Sequence, residues 1–140
     1  MSRKRHKARE LALQALYQWQ VTGQDLGDIV NQFLTGNDIR KFDVAYFQDL
    51  FRGVPTHLDE LDAQLSPLLD RPVEQVDLVE RAVLRLGAYE LQHHVEVPFR
   101  VVINEAVDLA KSYGAEKGHR YINGVLDKLA RSLRPSEQSA

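Results

Sequence analysis

The stretch DLVERAVLRLGAYELQHH, residues 77–94, decides the fold class of this 140-residue chain. Its apolar residues recur at helical spacing and cover much of the circumference, as Leu78, Ala82, Leu86 and Tyr89 illustrate. A helix that is apolar on several sides is contacted from several sides. We therefore expect this helix to lie at the centre of a helical bundle.

Further helices are predicted on the N-terminal side of this segment. An apolar stripe from Ala8 to Trp19 predicts a first helix that ends near Gly23, and a short second helix covers residues 25–34. A third begins near Lys41. Because Gly53 and Pro55 interrupt it, and because proline is tolerated in a first helical turn, we expect a new helix over residues 55–69.

Two more helices are predicted on the C-terminal side. One opens at Pro98 and stops at Gly114, and the last ends at Pro135. The predicted fold is all-α: one compact domain of six or seven helices, arranged as two packed small bundles. The domain covers residues 1–134 and includes a basic arm, residues 1–9, while residues 135–140 form a polar tail.

The composition excludes several classes of protein. A hydrophobic content of 44% with 27% charged residues is typical of a soluble globular domain. No apolar run approaches the roughly 20 residues that span a bilayer, and the N-terminus lacks the apolar stretch of a signal peptide. The absence of cysteine excludes disulfides, thiolate catalysis and cysteine zinc sites. We expect a cytoplasmic protein with no membrane contact.

The net charge of −2 conceals a strongly basic N-terminus. Five cations and no acid occur within the first nine residues, so the remainder of the chain carries −7. These cations are Arg3, Lys4, Arg5, Lys7 and Arg9. A basic arm on an acidic body indicates a site for a polyanion such as RNA. A disordered, solubilising terminus is the alternative.

An aromatic residue shares the first helix with this arm. At 100° per residue Tyr17 lies about 170° from the centre of the apolar stripe, so its ring can stack on an unpaired base. The alternative is that Tyr17 packs against another helix, since Leu13 on the same face is also apolar.

A second candidate RNA site lies at the entrance to the last helix. Lys117, Arg120 and Tyr121 bring cations and a ring to a helix N-terminus, where backbone N–H groups favour phosphate. Recognition of this kind favours single-stranded RNA, whose bases can splay onto aromatic rings. A solvated charged face with Tyr121 at the edge of the core is the alternative.

The region between positions 59 and 90 has the opposite charge. It carries eight acids and three arginines, a net charge of −5, and would repel RNA. Such a surface suits a basic protein partner, with Glu74, Asp77 and Glu80 as candidate contacts. A merely solvated acidic face remains the alternative.

Signals of enzymatic activity are missing. The chain has no phosphate-binding glycine loop, no zinc-protease motif and no nucleophile elbow. The pattern E-x-x-H occurs at Glu90/His93 and at Glu116/His119, but cations surround the second copy, and His94 points about 100° away from His93. We expect no catalytic residue, no metal and no cofactor.

Several segments resemble motifs of the NusB family of bacterial transcription antitermination factors. VINEAVDLAK at 102–111, preceded by Val97-Pro98, and YINGVLDK at 121–128 are the most specific. ARE at 8–10, QALY at 14–17 and WQ at 19–20 match at the N-terminus, and AVLR at 82–85 and YEL at 89–91 match in the middle. The resemblance spans essentially the whole chain in the expected order.

This resemblance implies an all-helical fold of two small bundles and a function in transcription. It implies binding to single-stranded boxA RNA of ribosomal-RNA transcripts together with NusE, a ribosomal protein, so that RNA polymerase reads through terminators. Matching positions place the RNA contacts on Arg5, His6, Lys7, Arg9, Tyr17, Arg120 and Tyr121. Glu80 is the best-matched position for the NusE side.

Two departures and three alternatives accompany the resemblance. His6 departs from an arginine-rich pattern, and Lys117 stands where some members carry an acid. Some RNA cytosine methyltransferases contain a NusB-like domain, but this chain lacks their cofactor loop and cysteine nucleophile. A purely protein-binding adaptor would not need the basic arm. A homodimer stays open, because some members self-associate.

Overall fold

A computed structural model describes residues 3–138, and within that range it contains α-helices, two short 3₁₀ turns and no strand. The helices are α1 (Arg3–Thr22), α2 (Leu26–Gly36), α3 (Val44–Thr56), α4 (Leu58–Leu65), α5 (Leu78–His93), α6 (Phe99–Tyr113), α7 (Gly118–Leu133) and α8 (Pro135–Gln138). The all-α prediction is confirmed. None of these helices combines the length and the apolar character needed to cross a membrane.

The chain divides between Thr56 and His57 into two compact units. Unit 1 contains α1–α3, and unit 2 contains α4–α8. The predicted pair of small helical bundles is therefore confirmed. The described residues form eight helices, one more than the six or seven predicted, because a short helix begins at Pro135.

Unit 1 is built around aromatic residues of α3. Phe47 is fully buried, and its ring lies 5.8–6.2 Å from the rings of Phe33, Phe42 and Phe51. The apolar stripe of α1 packs against α3, as its spacing predicts. Aromatic pairs at these distances add to the free energy gained by removing the rings from water.

The break predicted at Gly53 and Pro55 is wrong, because α3 continues to Thr56. Pro55 stands one residue before the helix end, so its missing N–H weakens only the final turn. Gly53 and Val54 are buried, and this packing outweighs the low helix propensity of glycine. The next helix begins at Leu58 and gives way at Ser66 to a 3₁₀ turn.

Helix α5 forms the centre of unit 2. Every residue from Ala82 to Leu91 is buried, and α5 packs against α4, α6 and α7. Asp77 caps its start by accepting hydrogen bonds from the N–H groups of Val79 and Glu80. The central position predicted for this helix is confirmed.

A buried arginine donates hydrogen bonds to backbone carbonyl oxygens at the C-terminal end of α5. The Arg134 guanidinium, only 4% exposed, donates to the carbonyl oxygens of Leu91 at 2.8 Å and of His94 at 3.0 Å. It also donates to the carbonyl oxygen of Val97 at 3.0 Å. Leu91 and His94 lie at the end of α5, where carbonyl oxygens lack intrahelical partners, and Val97 lies in the loop that follows. Arg134 thus joins the end of α7 to the end of α5.

The segment expected to be a polar tail begins with helix α8. Pro135 does end α7, but a proline is also well suited to the first turn of a new helix. Glu137 on α8 accepts a hydrogen bond from Phe99 N at 2.9 Å and pairs with Arg134. The Phe99 N–H group holds the pKa of Glu137 below its usual value, with Arg134 contributing further. Residues 139–140 lie outside the described part of the chain.

We predict that Arg134→Met lowers the free energy of unfolding by about 2–5 kcal/mol, because buried carbonyl oxygens would lose their donors. Chemical denaturation monitored by circular dichroism measures this loss. Arg131→Met is the matched control, since Arg131 is exposed in the last turn of α7, three residues before Arg134, and pairs only with Asp127 among the contacts that the structure gives it. Its effect should stay within about 0.5 kcal/mol. Equal losses in the two variants would contradict the role assigned to Arg134.

Candidate nucleic-acid interface

The basic arm forms the first turns of α1. Arg3 and Lys4 are exposed, whereas Arg5, His6 and Lys7 are half-buried. The Arg5 guanidinium lies 4.2 Å from the centre of the Tyr46 ring and 3.8 Å from the Asp43 carboxylate. Lys7 Nζ lies 3.0 Å from Glu10 Oε1. The arm is an ordered helix within the described residues, which is more consistent with a defined binding surface than with a disordered terminus.

Arg9 does not belong to that surface. Its side chain is 1% exposed, and its guanidinium lies 5.3 Å from the centre of the Tyr46 ring, inside unit 1. Arg5 and Arg9 are four residues apart on one helix face, and both guanidinium groups lie over the Tyr46 ring of α3, but only Arg9 is fully buried. The structure thus corrects the prediction that Arg9 contacts RNA, because it is a core residue.

Tyr17 projects from α1 towards solvent. It is 41% exposed, while Leu13, one turn earlier, is 2% exposed. The face that the two residues share is therefore covered at Leu13 and open at Tyr17. At 1.5 Å per residue Tyr17 lies about 15 Å along the helix from Lys7. A phenol ring in this position offers a flat apolar surface to a base.

In unit 2, Tyr121 lies in the first turn of α7 and is half-buried. Its hydroxyl oxygen accepts a hydrogen bond from Asp70 N at 3.3 Å, and the Arg71 guanidinium lies 5.2 Å from the ring centre. Burial raises the pKa of the Tyr121 phenol, so it stays neutral at physiological pH. The ring is held by its neighbours with part of its surface accessible.

A groove of about 540 Å³ runs along Tyr121. The residues that line it are Pro67, Leu68, Leu69, Asp70, Arg120, Tyr121, Gly124, Val125 and Lys128. Arg120 and Lys128 are exposed, so two cations flank the ring. Lys117 is exposed just before α7, whose start has no side-chain cap. This combination of cations, a ring and an uncapped helix start suits a nucleotide with its phosphate.

Two residues near Tyr121, Lys128 and Arg71, are not among the RNA contacts predicted from the sequence. Lys128 lies seven residues after Tyr121, so helical spacing alone would have placed both on one side of α7. Arg71 is far from Tyr121 along the chain, and only the folded loop before α5 brings the two together. No local sequence pattern signals that contact.

The acidic residues that were predicted to contact the protein partner differ in their exposure. Glu74 and Asp77 are exposed, although the Asp77 carboxylate also caps α5. Glu80 is 7% exposed, and its carboxylate packs so tightly against Gly118 that a Cβ there would overlap it. Burial, with a smaller effect of Asp77, raises the pKa of Glu80. Glu80 therefore supports the start of α7 from inside unit 2 and is not a surface contact.

A further cluster of polar side chains was not expected from the sequence. Potential ligand atoms of His57, Glu60 and His93 all lie within 4.8 Å of one another. The E-x-x-H pattern in the sequence pairs His93 with Glu90. The Glu90 side chain is buried, however, and does not belong to this cluster. The packing of α4 against α5 is what brings His57 and Glu60 to His93.

Comparison with known proteins identifies the family. The family model described as "NusB family" matches residues 6–131. The chain belongs to the NusB family. Transcription antitermination protein NusB of Nitrosococcus oceani is 57% identical over 137 residues, covering 98% of this chain and 92% of the relative. NusB of Idiomarina loihiensis is 54% identical and covers 96% of both chains.

Solved structures of NusB proteins share the fold. A structure of T. maritima NusB superposes with a TM-score of 0.87 at 28% identity and covers all of both chains. A structure of the antitermination factors NusB and NusE in complex with double-stranded RNA matches with a TM-score of 0.83 at 28% identity. That match covers 94% of this chain and 99% of the other.

The raised pKa of Glu80 leads to a test of its burial. A carboxyl group whose pKa is higher in the folded chain costs stability as pH rises from its unfolded pKa, near 4.5, through the folded value. Glu80→Gln removes this cost. We therefore predict that the stability of Glu80→Gln relative to the native chain increases between pH 4 and pH 8. Denaturation curves at both pH values measure this, and a difference that does not change with pH would show that Glu80 is solvated.

Proposed function

We propose that this chain is a non-enzymatic transcription antitermination factor that binds single-stranded boxA RNA of ribosomal-RNA transcripts together with NusE. In this role it helps RNA polymerase to read through terminators, and it acts in the cytoplasm, where transcripts are made. The observation that carries the proposal is the accessibility of Tyr17 and Tyr121, each on a helix with exposed cations. Membership of the NusB family supports the same function.

Electrostatic attraction supplies most of the affinity in this mechanism. Arg3, Lys4, Arg5 and Lys7 contact phosphates from unit 1, with His6 as a polar neighbour, and Lys117 and Arg120 do so from unit 2. Each phosphate contact releases condensed counterions, so the affinity must fall steeply as the salt concentration rises. Such contacts position the RNA but do not read its sequence.

The two tyrosines provide the preference for unpaired bases. Stacking on an aromatic ring requires a base whose face is accessible, and bases inside a duplex are already stacked. The related complex contains double-stranded RNA, so the strandedness of the preferred RNA needs a direct comparison. We expect this chain to bind single-stranded boxA RNA more tightly than the same sequence in a duplex.

A separate surface is proposed for the protein partner. Glu74 and Asp77 are exposed acids before and at the start of α5, in a region of net charge −5. Charge complementarity with a basic partner speeds association and selects the partner. The presence of NusE beside NusB in the related complex supports NusE as that partner.

We predict that Tyr17→Ala and Tyr121→Ala each weaken binding of boxA RNA by about 1–3 kcal/mol, the usual value of one stacking contact. Fluorescence anisotropy with a short labelled RNA, with and without NusE, measures the change. If both rings contact the same RNA molecule, the double variant loses the sum of the two free energies. Thermal stability should change little for Tyr17→Ala, because that ring is exposed.

Matched variants separate stacking from other effects. Tyr113 on α6 is similarly exposed, at 39%, and Tyr113→Ala should leave the RNA affinity unchanged. Tyr121→Phe keeps the ring and loses only the hydroxyl that faces Asp70, so it should bind nearly as well as the native chain. Equal affinity for boxA and scrambled RNA, with or without NusE, would reduce the interaction to a generic basic surface and contradict the proposal.

A further inference from the structure

We propose that His57, Glu60 and His93 form a binding site for Zn²⁺ in unit 2. The three residues come from two helices: His57 immediately precedes α4, Glu60 lies in its first turn, and His93 is the last residue of α5. Nothing in the RNA-binding function uses them. The proposal is therefore independent of the function proposed above.

The geometry brings the three donors to one place. His57 Nδ1 lies 3.6 Å from Glu60 Oε2, and the rings of His57 and His93 have their centres 4.4 Å apart. The ligand atoms lie within 4.8 Å of one another. Ligand atoms around a tetrahedral zinc ion are about 3.3 Å apart, given bond lengths of about 2.0–2.1 Å. Side-chain rotations are therefore enough to close the site, and Glu60 and His93 are both exposed.

Neighbouring side chains already orient the donors. The Gln92 amide donates to Glu60 Oε1, which leaves Oε2 directed at His57. The Tyr89 ring is stacked on His93 with ring centres 4.6 Å apart. A hydrogen-bonding partner such as Gln92 fixes the orientation of a ligating carboxylate, and the stacked Tyr89 ring restricts the orientation of the His93 ring. The cluster is thus partly arranged before any ion arrives.

The chemistry of the donors favours zinc. Two imidazole nitrogens and one carboxylate, with water as the fourth ligand, form a ligand set that is found in tetrahedral Zn²⁺ sites. Hard cations such as Mg²⁺ prefer oxygen ligands alone and would gain little from two histidines. A bound ion would connect the start of α4 to the end of α5. We infer a stabilising function for the ion in unit 2, with no reaction assigned to it.

Titration of the native chain, without a polyhistidine tag, with Zn²⁺ at pH 7.5 tests the proposal directly. Calorimetry should show one ion bound per chain, and the thermal midpoint should rise because the ion binds the folded state. In NMR spectra the imidazole signals of His57 and His93 should shift on saturation, whereas that of His119 should not. Absence of saturable one-to-one binding, or shifts confined to other histidines, would overturn the site.

Variants identify the ligands. His57→Ala and His93→Ala should each weaken Zn²⁺ binding by at least about tenfold. Losing a residue that only hydrogen-bonds to a metal ligand already lowers the metal affinity by about that factor, and these variants lose a ligand itself. His94→Asn is the matched control: His94 adjoins His93 and lies 3.0 Å from Glu96, but it is outside the cluster. Its affinity should equal that of the native chain. Binding that persists in the His57→Ala/His93→Ala double variant would show that other groups hold the ion.

Discussion

Helix α5 can be buried along its whole central length only if the polar groups at its ends find partners inside the protein. Asp77 satisfies N–H groups at its start, and Arg134 satisfies carbonyl oxygens at its end. Because Arg134 follows the last residue of α7, this pairing ties the end of α7 to the end of α5. The packing of unit 2, and with it the position of its functional surface, depends on this buried arginine.

The same helix positions the start of α7. Glu80, in the first turn of α5, packs against Gly118, and three residues later Tyr121 faces its groove. In unit 1, Arg9 is buried near Tyr46 and braces α1 against α3. Charged residues therefore have two roles here: buried ones hold helices in place, and exposed ones on the same helices are available to phosphates.

Local patterns were sufficient for much of the fold. Helical spacing predicts the central helix, and the angular position of Tyr17 on α1 places its ring away from the core. The second helix, expected over residues 25–34, is observed at Leu26–Gly36. The errors arose where tertiary packing decides. Sequence cannot tell that Arg9 is covered by α3 or that Glu80 meets Gly118, and the cluster around His57 depends on the packing of two helices. The helix break expected at Gly53 and Pro55 is absent, because the burial of Gly53 and Val54 outweighs the low helix propensity of glycine.

We propose that RNA binds at the exposed part of the basic arm, at Tyr17 and at the start of α7. The decisive measurement follows amide signals in ¹H–¹⁵N NMR spectra of the chain while single-stranded boxA RNA is added. We expect shifts at residues 3–7, near Tyr17 and at residues 117–121, with the amides of Glu74 and Arg134 unchanged. Shifts confined to the acidic region, with Tyr17 and Tyr121 unaffected, would contradict the proposal.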